Sequence, residues 1–293
     1  LSAAVAVCWT LLAGCGDSDN GDGPADDAAE GSGDDHGDHE DHADHGDHDD
    51  STGDGGDDGA DDGADDGVDD GVDDGPGTDD GVPADCTDQM ILDLGLVEGQ
   101  VSLGTSTDEA DADDWVSRVD ATAGGIVDAA TNPWLYLRFT DDGFEKVEID
   151  DLAALDSTDW DIAAKRFGIR LNSGVSGPST VTAALVTDVG YAELTELPDT
   201  AALLEESFYD GQCNLIDDGT GQGAPNYALT QWWFYPGCVG TTGTPFVLEL
   251  ADGRRVKFLV ESYYEQGQET CNTDGTMGMG SANFTWRWAY LSQ

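Results

Sequence analysis

Residues 156–177 read Asp-Ser-Thr-Asp-Trp-Asp-Ile-Ala-Ala-Lys-Arg-Phe-Gly-Ile-Arg-Leu-Asn-Ser-Gly-Val-Ser-Gly. Apolar and polar residues alternate along this stretch, the period of a β-strand with one buried face. Trp160 and Ile162 are expected on one face and Asp159 and Asp161 on the other. Phe167, Ile169 and Leu171 continue the alternation, and Asn172-Ser173-Gly174 is a turn signal. Trp160, Asp161, Arg170 and Asn172 are expected to be framework, because an Asp beside a buried Trp ties down backbone donors or pairs with an Arg.

The same period runs outward from this segment. Residues 134–139 place Leu135, Leu137 and Phe139 on one face, and residues 245–250 do so with Phe246, Leu248 and Leu250. Residues 255–260 set Val256, Phe258 and Val260 against Arg255 and Lys257. The last run, 283–291, alternates Phe284, Trp286, Trp288 and Tyr290 with Thr285, Arg287, Ala289 and Leu291. Asp141-Asp142-Gly143, Pro236-Gly237 and Ala251-Asp252-Gly253 separate the runs as turns. A short helix is expected at 200–206. Residues 86–293 therefore predict one all-β domain, mainly antiparallel sheet with minor helix, closing in a four-stranded meander near 227–235, 245–250, 255–264 and 283–291.

The chemistry available to that domain is narrow. All five histidines lie at 36–48, so residues 86–293 contain none. Ser-His-Asp and Cys-His hydrolysis and histidine metal ligation are excluded there. Residues 219–223, Gly-Thr-Gly-Gln-Gly, lack the Lys-Ser/Thr of a phosphate loop and precede Pro225 rather than a helix. Acid pairs such as Asp159 and Asp161 are ordinary in so acidic a chain, and nothing points to an enzyme. Cys86, Cys213, Cys238 and Cys271 remain after Cys8 and Cys15 are assigned to the N-terminal segment. In an exported protein they predict two disulfides, with three connectivities open. The expected meander places the loops of Cys238 and Cys271 at one end of the sheet, favouring Cys238–Cys271 and Cys86–Cys213.

Upstream lies a different kind of sequence. An apolar run over residues 1–12 closes on Leu12-Ala13-Gly14-Cys15, the pattern of a lipoprotein signal, too short for a spanning helix of roughly 20 residues. Residues 1–14 are read as the signal and Cys15 as the lipidated residue. Residues 15–85 follow as a low-complexity tether, with Asp-Asp-Gly-Ala and Asp-Asp-Gly-Val recurring over 57–75. Residues 16–85 hold 29 acidic residues and no Lys or Arg, leaving 34 acids and all ten bases to 86–293. So few large apolar side chains cannot offset ordering entropy, and an extended, disordered tether is expected. A neutral chain of this length spans on the order of 45 Å. The formal net charge of −53 argues against nucleic acid as a partner. His36, His39, His42, His45 and His48 each stand beside an acid, which makes the tether a candidate for weak divalent-metal binding.

Residues 156–177 resemble the signature of the HmuY-like haem-binding bacterial lipoproteins: a Trp-Asp-Ile-Ala strand, an Arg-containing strand and an Asn-Ser-Gly turn. The aromatic strand at 134–139 and the runs Trp232-Trp-Phe-Tyr235, 246–260, Ser262-Tyr-Tyr264 and Phe284-Thr-Trp-Arg-Trp288 are similar to the family's other strands, over roughly 110–293. The resemblance implies an all-β, lipid-anchored protein that takes haem from solution or from a haem-carrying protein and passes it to an outer-membrane receptor. It implies two His or Met side chains clamping the iron. No domain histidine can fill that role here, so the candidate ligands are Met277, Met279, Met90, Tyr209, Tyr235 or a cysteine thiolate. Arg254, Arg255, Lys257 and Arg287 are the candidate partners for haem propionates. Gly16, not Asp, follows Cys15, which favours the outer membrane, periplasmic or surface-exposed. The alternative is a module of the same fold that no longer takes haem and recognises another ligand or partner, with the His/Asp tail binding metal.

Overall fold

A computed structural model describes residues 86–122 and 131–292. The signal, Cys15, the tether and its five histidines lie outside the described residues. The described chain is mainly antiparallel β with three short helices. Its strands are β1 (Thr105–Asp111), β2 (Asp114–Asp120), β3 (Leu135–Thr140), β4 (Gly143–Lys146), β5 (Ile162–Lys165), β6 (Gly168–Leu171) and β7 (Thr182–Leu185), followed by β8 (Trp233–Phe234), β9 (Gly240–Thr241), β10 (Phe246–Glu249), β11 (Arg255–Gln266) and β12 (Met279–Tyr290). The helices are α1 (Thr87–Asp93), α2 (Asp151–Ala154) and α3 (Gln268–Asp274). None of the described helices is long and apolar enough to cross a membrane.

Two sheets face one another. One has six strands in the order β1-β2-β12-β11-β10-β7, and the other has four, β4-β3-β5-β6. Val256, Phe258 and Val260 of β11 and Phe284, Trp286 and Trp288 of β12 meet Leu135, Leu137, Ile162 and Ile169 of the smaller sheet in one core. The far face of the smaller sheet is buried too: Trp134, Tyr136 and Ala163 pack with Trp160, Phe208, Tyr227 and Met90 of α1. With both faces covered, β3 and β5 read as nearly continuous apolar runs. A third, smaller cluster of Val186, Leu194, Val247 and Leu291 lies on the outer face of the larger sheet.

Three sequence expectations are corrected. First, residues 200–206 form no helix. Leu204 exchanges both backbone hydrogen bonds with Ala183, at 2.8 and 3.0 Å, which extends the chain along the free edge of β7. Seven residues make a marginal helix, and two ladder bonds outweigh that weak propensity. Glu206 then enters the core, where its carboxylate accepts the amides of Leu171 and Ala228. Second, the closing meander has three strands, β10-β11-β12, not four. The segment before them makes a 3-10 turn at Thr230–Trp232 and a two-residue strand that pairs only with β9. Pro236-Gly237 reverses the chain too early for a longer strand, and β7 takes the place beside β10. Third, Trp160 and Ile162 do not share a face. The strand begins at Ile162 after a bend at Asp161, so strand parity does not reach Trp160, which falls in the second cluster.

The disulfides are Cys86–Cys213 and Cys238–Cys271. The second pairing was favoured from a four-stranded meander, yet it arises because α3, between β11 and β12, carries Cys271 against the β8–β9 turn. Closing loops of 127 and 33 residues removes unfolded-state entropy worth roughly 5 and 4 kcal/mol in the chain-entropy account.

The signature residues form a buried frame. Trp160 donates its indole N–H to Ala154 O at 2.9 Å. Asp161 accepts the amide of Phe139 at 2.9 Å. Asn172 donates to Ser157 O and Trp160 O and accepts the amide of Ser179. The Arg170 guanidinium is caged by Trp134, Tyr136 and Trp160, with centroid distances of 4.9, 5.4 and 5.1 Å. It donates to Ser176 and to the Tyr136 hydroxyl, which donates in turn to Asp151.

Candidate ligand-binding site

Two turns meet at one end of the larger sheet. The β8–β9 turn, 235–239, lies against the loop that leaves α3, 275–278. Asn272 of α3 accepts the amide of Thr241 and donates to its hydroxyl. Gln268 donates to Val239 O at 3.1 Å, while the Val239 amide donates to the Tyr264 hydroxyl at 3.1 Å. Gly275, at φ +67°, passes so close to Pro236 that a Cβ there would stand 2.7 Å from the Pro236 carbonyl oxygen. Glycine is required by both the conformation and the approach. The Cys238–Cys271 bond closes the assembly into one rigid rim.

That rim exposes the soft donors. Of the chain's three methionines, Met277 is 62% and Met279 67% exposed, and Tyr235 is 39% exposed on the facing turn. Gly275, Gly278 and Gly280 interrupt the methionines, and β12 begins at Met279, paired with Gln266. A thioether in water on a short glycine-flanked loop can present its sulfur to a metal, and methionine is an established axial ligand for haem iron.

The other two candidate ligands lie elsewhere. Met90 and Tyr209 line a cleft of about 590 Å³ beside Cys86–Cys213. Met90 is 4% exposed and packed into the second core cluster. The Tyr209 hydroxyl donates to Asp93 at 2.9 Å. Burial and that carboxylate push its pKa well above the ordinary phenol value, which disfavours a tyrosinate ligand. All four domain cysteines are in disulfides, so the thiolate option closes.

The candidate propionate partners are not brought to the rim, and each is already engaged. Arg254 binds Asp252 and Asp141, and Arg255 binds Glu249. Lys257 pairs with Asp114 at 3.2 Å and lies over the Tyr191 ring. Arg287 bridges Glu261, Asp111 and Asp114 on the outer face of the larger sheet. Arg254 and Arg255 sit at the β10–β11 turn, and Met279 pairs at the far end of β11. At 3.3 Å per residue, that strand separates them by roughly 35 Å.

Sequence reasoning passed over a different pair. Lys165 and Arg166 stand at the β5–β6 turn, and the exposed Arg166 makes no ion pair among the described residues. Two adjacent cations in a chain of 63 acids are the only trace of this in the sequence. Among the described residues, no group of three His, Cys, Asp or Glu side chains forms a metal site.

Residues 130–274 match the sequence family described as HmuY protein. No curated protein matches the chain. Among solved structures, a protein described as an HmuY-like heme binding protein from Bacteroides vulgatus is 16% identical, with 66% of this chain and 98% of that one covered, at a TM-score of 0.40. A protein described as a lipoprotein from Bacteroides fragilis is 15% identical over 64% of this chain and 96% of its own, with a TM-score of 0.41. The apo HmuY analog of Tannerella forsythia is 13% identical, covering 66% and 100%, at 0.33.

Proposed function

Because residues 130–274 belong to the HmuY family, we propose that this chain binds haem as cargo, captures it outside the cell and hands it to an outer-membrane receptor. The single observation that supports the reading is the exposed rim, where Met277 and Met279 follow one of two adjoining turns and Tyr235 lies on the other, the turns stapled by Cys238–Cys271. These residue types suit an iron centre in a domain without histidine, with thioether favouring the softer ferrous state. Lipidation at Cys15 and the acidic tether over 15–85 complete the reading as an outer-membrane lipoprotein. Repulsion among its carboxylates would hold the domain away from the bilayer.

The test is Soret-region titration of the full chain carrying alanine at the five tail histidines. One haem per chain is expected, tighter in the ferrous state. Replacing Met277 and Met279 together by Ala should weaken ferrous binding by tenfold or more, and Tyr235→Phe should alter the ferric spectrum. Saturable binding that ignores all three substitutions would place the ligands elsewhere. No binding in either oxidation state would leave the second reading, a family module turned to another ligand, which the missing domain histidine favours. The tail's metal role is separate: full divalent-metal affinity after deletion of residues 16–85 would sink it.

A further inference from the structure

The β5–β6 hairpin turns on only two residues, Arg166 and Phe167, between paired Lys165 and Gly168. Arg166 has φ +53°, the left-handed region in which a side chain other than glycine is strained. Its amide is held on Ala121 O at 3.1 Å, and its guanidinium lies 5.2 Å from the centre of the Phe167 ring. Glycine would adopt this backbone without cost, so the turn's geometry gives no reason for an arginine. The charge ledger gives none either: the side chain has no carboxylate partner among the described residues.

Beside this turn is a cleft of about 260 Å³. Trp134, Phe167, Tyr227 and Leu92 supply its apolar walls, and Lys165 and Arg166 its positive charge. Lys165 is largely buried, and its ammonium donates to the carbonyls of Leu94 and Gly95. Burial lowers its pKa to about 8 against the opposing pull of the Asp151 carboxylate. Asp93, also on the wall, is occupied by Tyr209 and Gln89. Flat apolar walls with two convergent cations suit an amphipathic anion, and the volume lies below that of drug-sized ligand sites, far too small for a tetrapyrrole. A guanidinium fork is matched to a carboxylate.

We propose that the cleft at the β5–β6 turn binds a small carboxylate with an aromatic or branched apolar body, the carboxylate at Arg166 and the body against the wall formed by Trp134, Phe167 and Tyr227. The site is independent of the haem reading and uses none of its residues.

The test is calorimetric titration of the full chain with 1-naphthoate and, in parallel, with neutral 1-naphthamide. Naphthoate should bind and naphthamide should bind much more weakly. Arg166→Gln and Arg166→Gly should each cost naphthoate roughly tenfold in affinity and leave naphthamide unchanged, since one charged contact is removed. Arg166→Gly should also raise Tm by releasing the left-handed strain, separating lost binding from lost fold. Met277→Ala with Met279→Ala should leave naphthoate binding intact. The proposal is overturned if naphthoate does not bind at millimolar concentration, if it binds equally to the Arg166 variants, or if the neutral probe binds as well as the anion.

Discussion

Arg170 is the residue on which the smaller sheet's outer face is built. It is fully buried, stacked against three aromatic rings, and linked through the Tyr136 hydroxyl to Asp151, which also accepts the amides of Val97 and Trp134. A buried charge held this way is costly to orphan. Arg170→Ala would leave Asp151 without its cation, empty the aromatic cage and free two hydrogen bonds to Ser176. It should destabilise the domain by about 3–5 kcal/mol in denaturant unfolding, a cost in the range of breaking a buried ion pair. Lys165 differs in kind: its ammonium donates to the carbonyls of Leu94 and Gly95 and lies at the wall of a cleft, whereas Arg170 is enclosed by the fold, with only its Nε left without a hydrogen-bond partner. Two basic residues five positions apart thus serve opposite ends, and only their surroundings tell them apart.

At the scale of elements, the two disulfides do different work. Cys86–Cys213 anchors α1 to the far side of the smaller sheet, and Cys238–Cys271 locks the rim. Replacing Cys86 and Cys213 by Ala should lower stability by roughly 5 kcal/mol in the chain-entropy account and leave haem affinity nearly unchanged. Replacing Cys238 and Cys271 should cost roughly 4 kcal/mol and also weaken haem binding, because the facing turns lose their registration. Equal effects on haem from both pairs, read by Soret titration and denaturant unfolding, would mean the rim is not special. Elements with one half-wet face were legible in advance: β12 and the first half of β11 alternate cleanly, and Asp-Gly turns precede both. Less was visible where burial is two-sided or pairing is local. Near the end of β11, register shifts bury Tyr263 and Tyr264 together, which alternation forbids. Leu204 joins β7 by two bonds that no periodicity announces. The exposed methionines could be named from their glycine-rich surroundings, but the Arg166 turn could not, since arginine is no turn former.

For the whole molecule, carboxylates set the response to pH. Burial raises the pKa of Glu206 to about 7 and of Asp161 to about 6, and raises Asp151 and Asp108 as well. For an acid whose folded pKa lies above its unfolded one, the fold binds the proton more tightly. The gain is complete below the unfolded value and disappears as pH rises through the folded value. Tm should therefore be higher at pH 5 than at pH 8, with Glu206 alone contributing on the order of 3 kcal/mol of the difference. Glu206→Gln should flatten that dependence, although it loses an acceptor for one of the two amides. A Tm that falls between pH 8 and pH 5 would contradict the assignment. Lys165, with its pKa lowered to about 8, acts in the opposite sense, its desolvation penalty fading only above that pH.

The free edge of the larger sheet is β1, whose sequence Thr-Ser-Thr-Asp-Glu-Ala-Asp turns mostly outward. An unpaired edge is a template for any other strand that drifts past, and neighbouring copies of the same chain are the commonest source. Here an approaching copy would have to bring Glu109 and Asp111 against their own likeness. Crowding such molecules together therefore drives them apart rather than into fibres. The acidity that makes the chain a poor companion for phosphate also opposes strand addition at this edge.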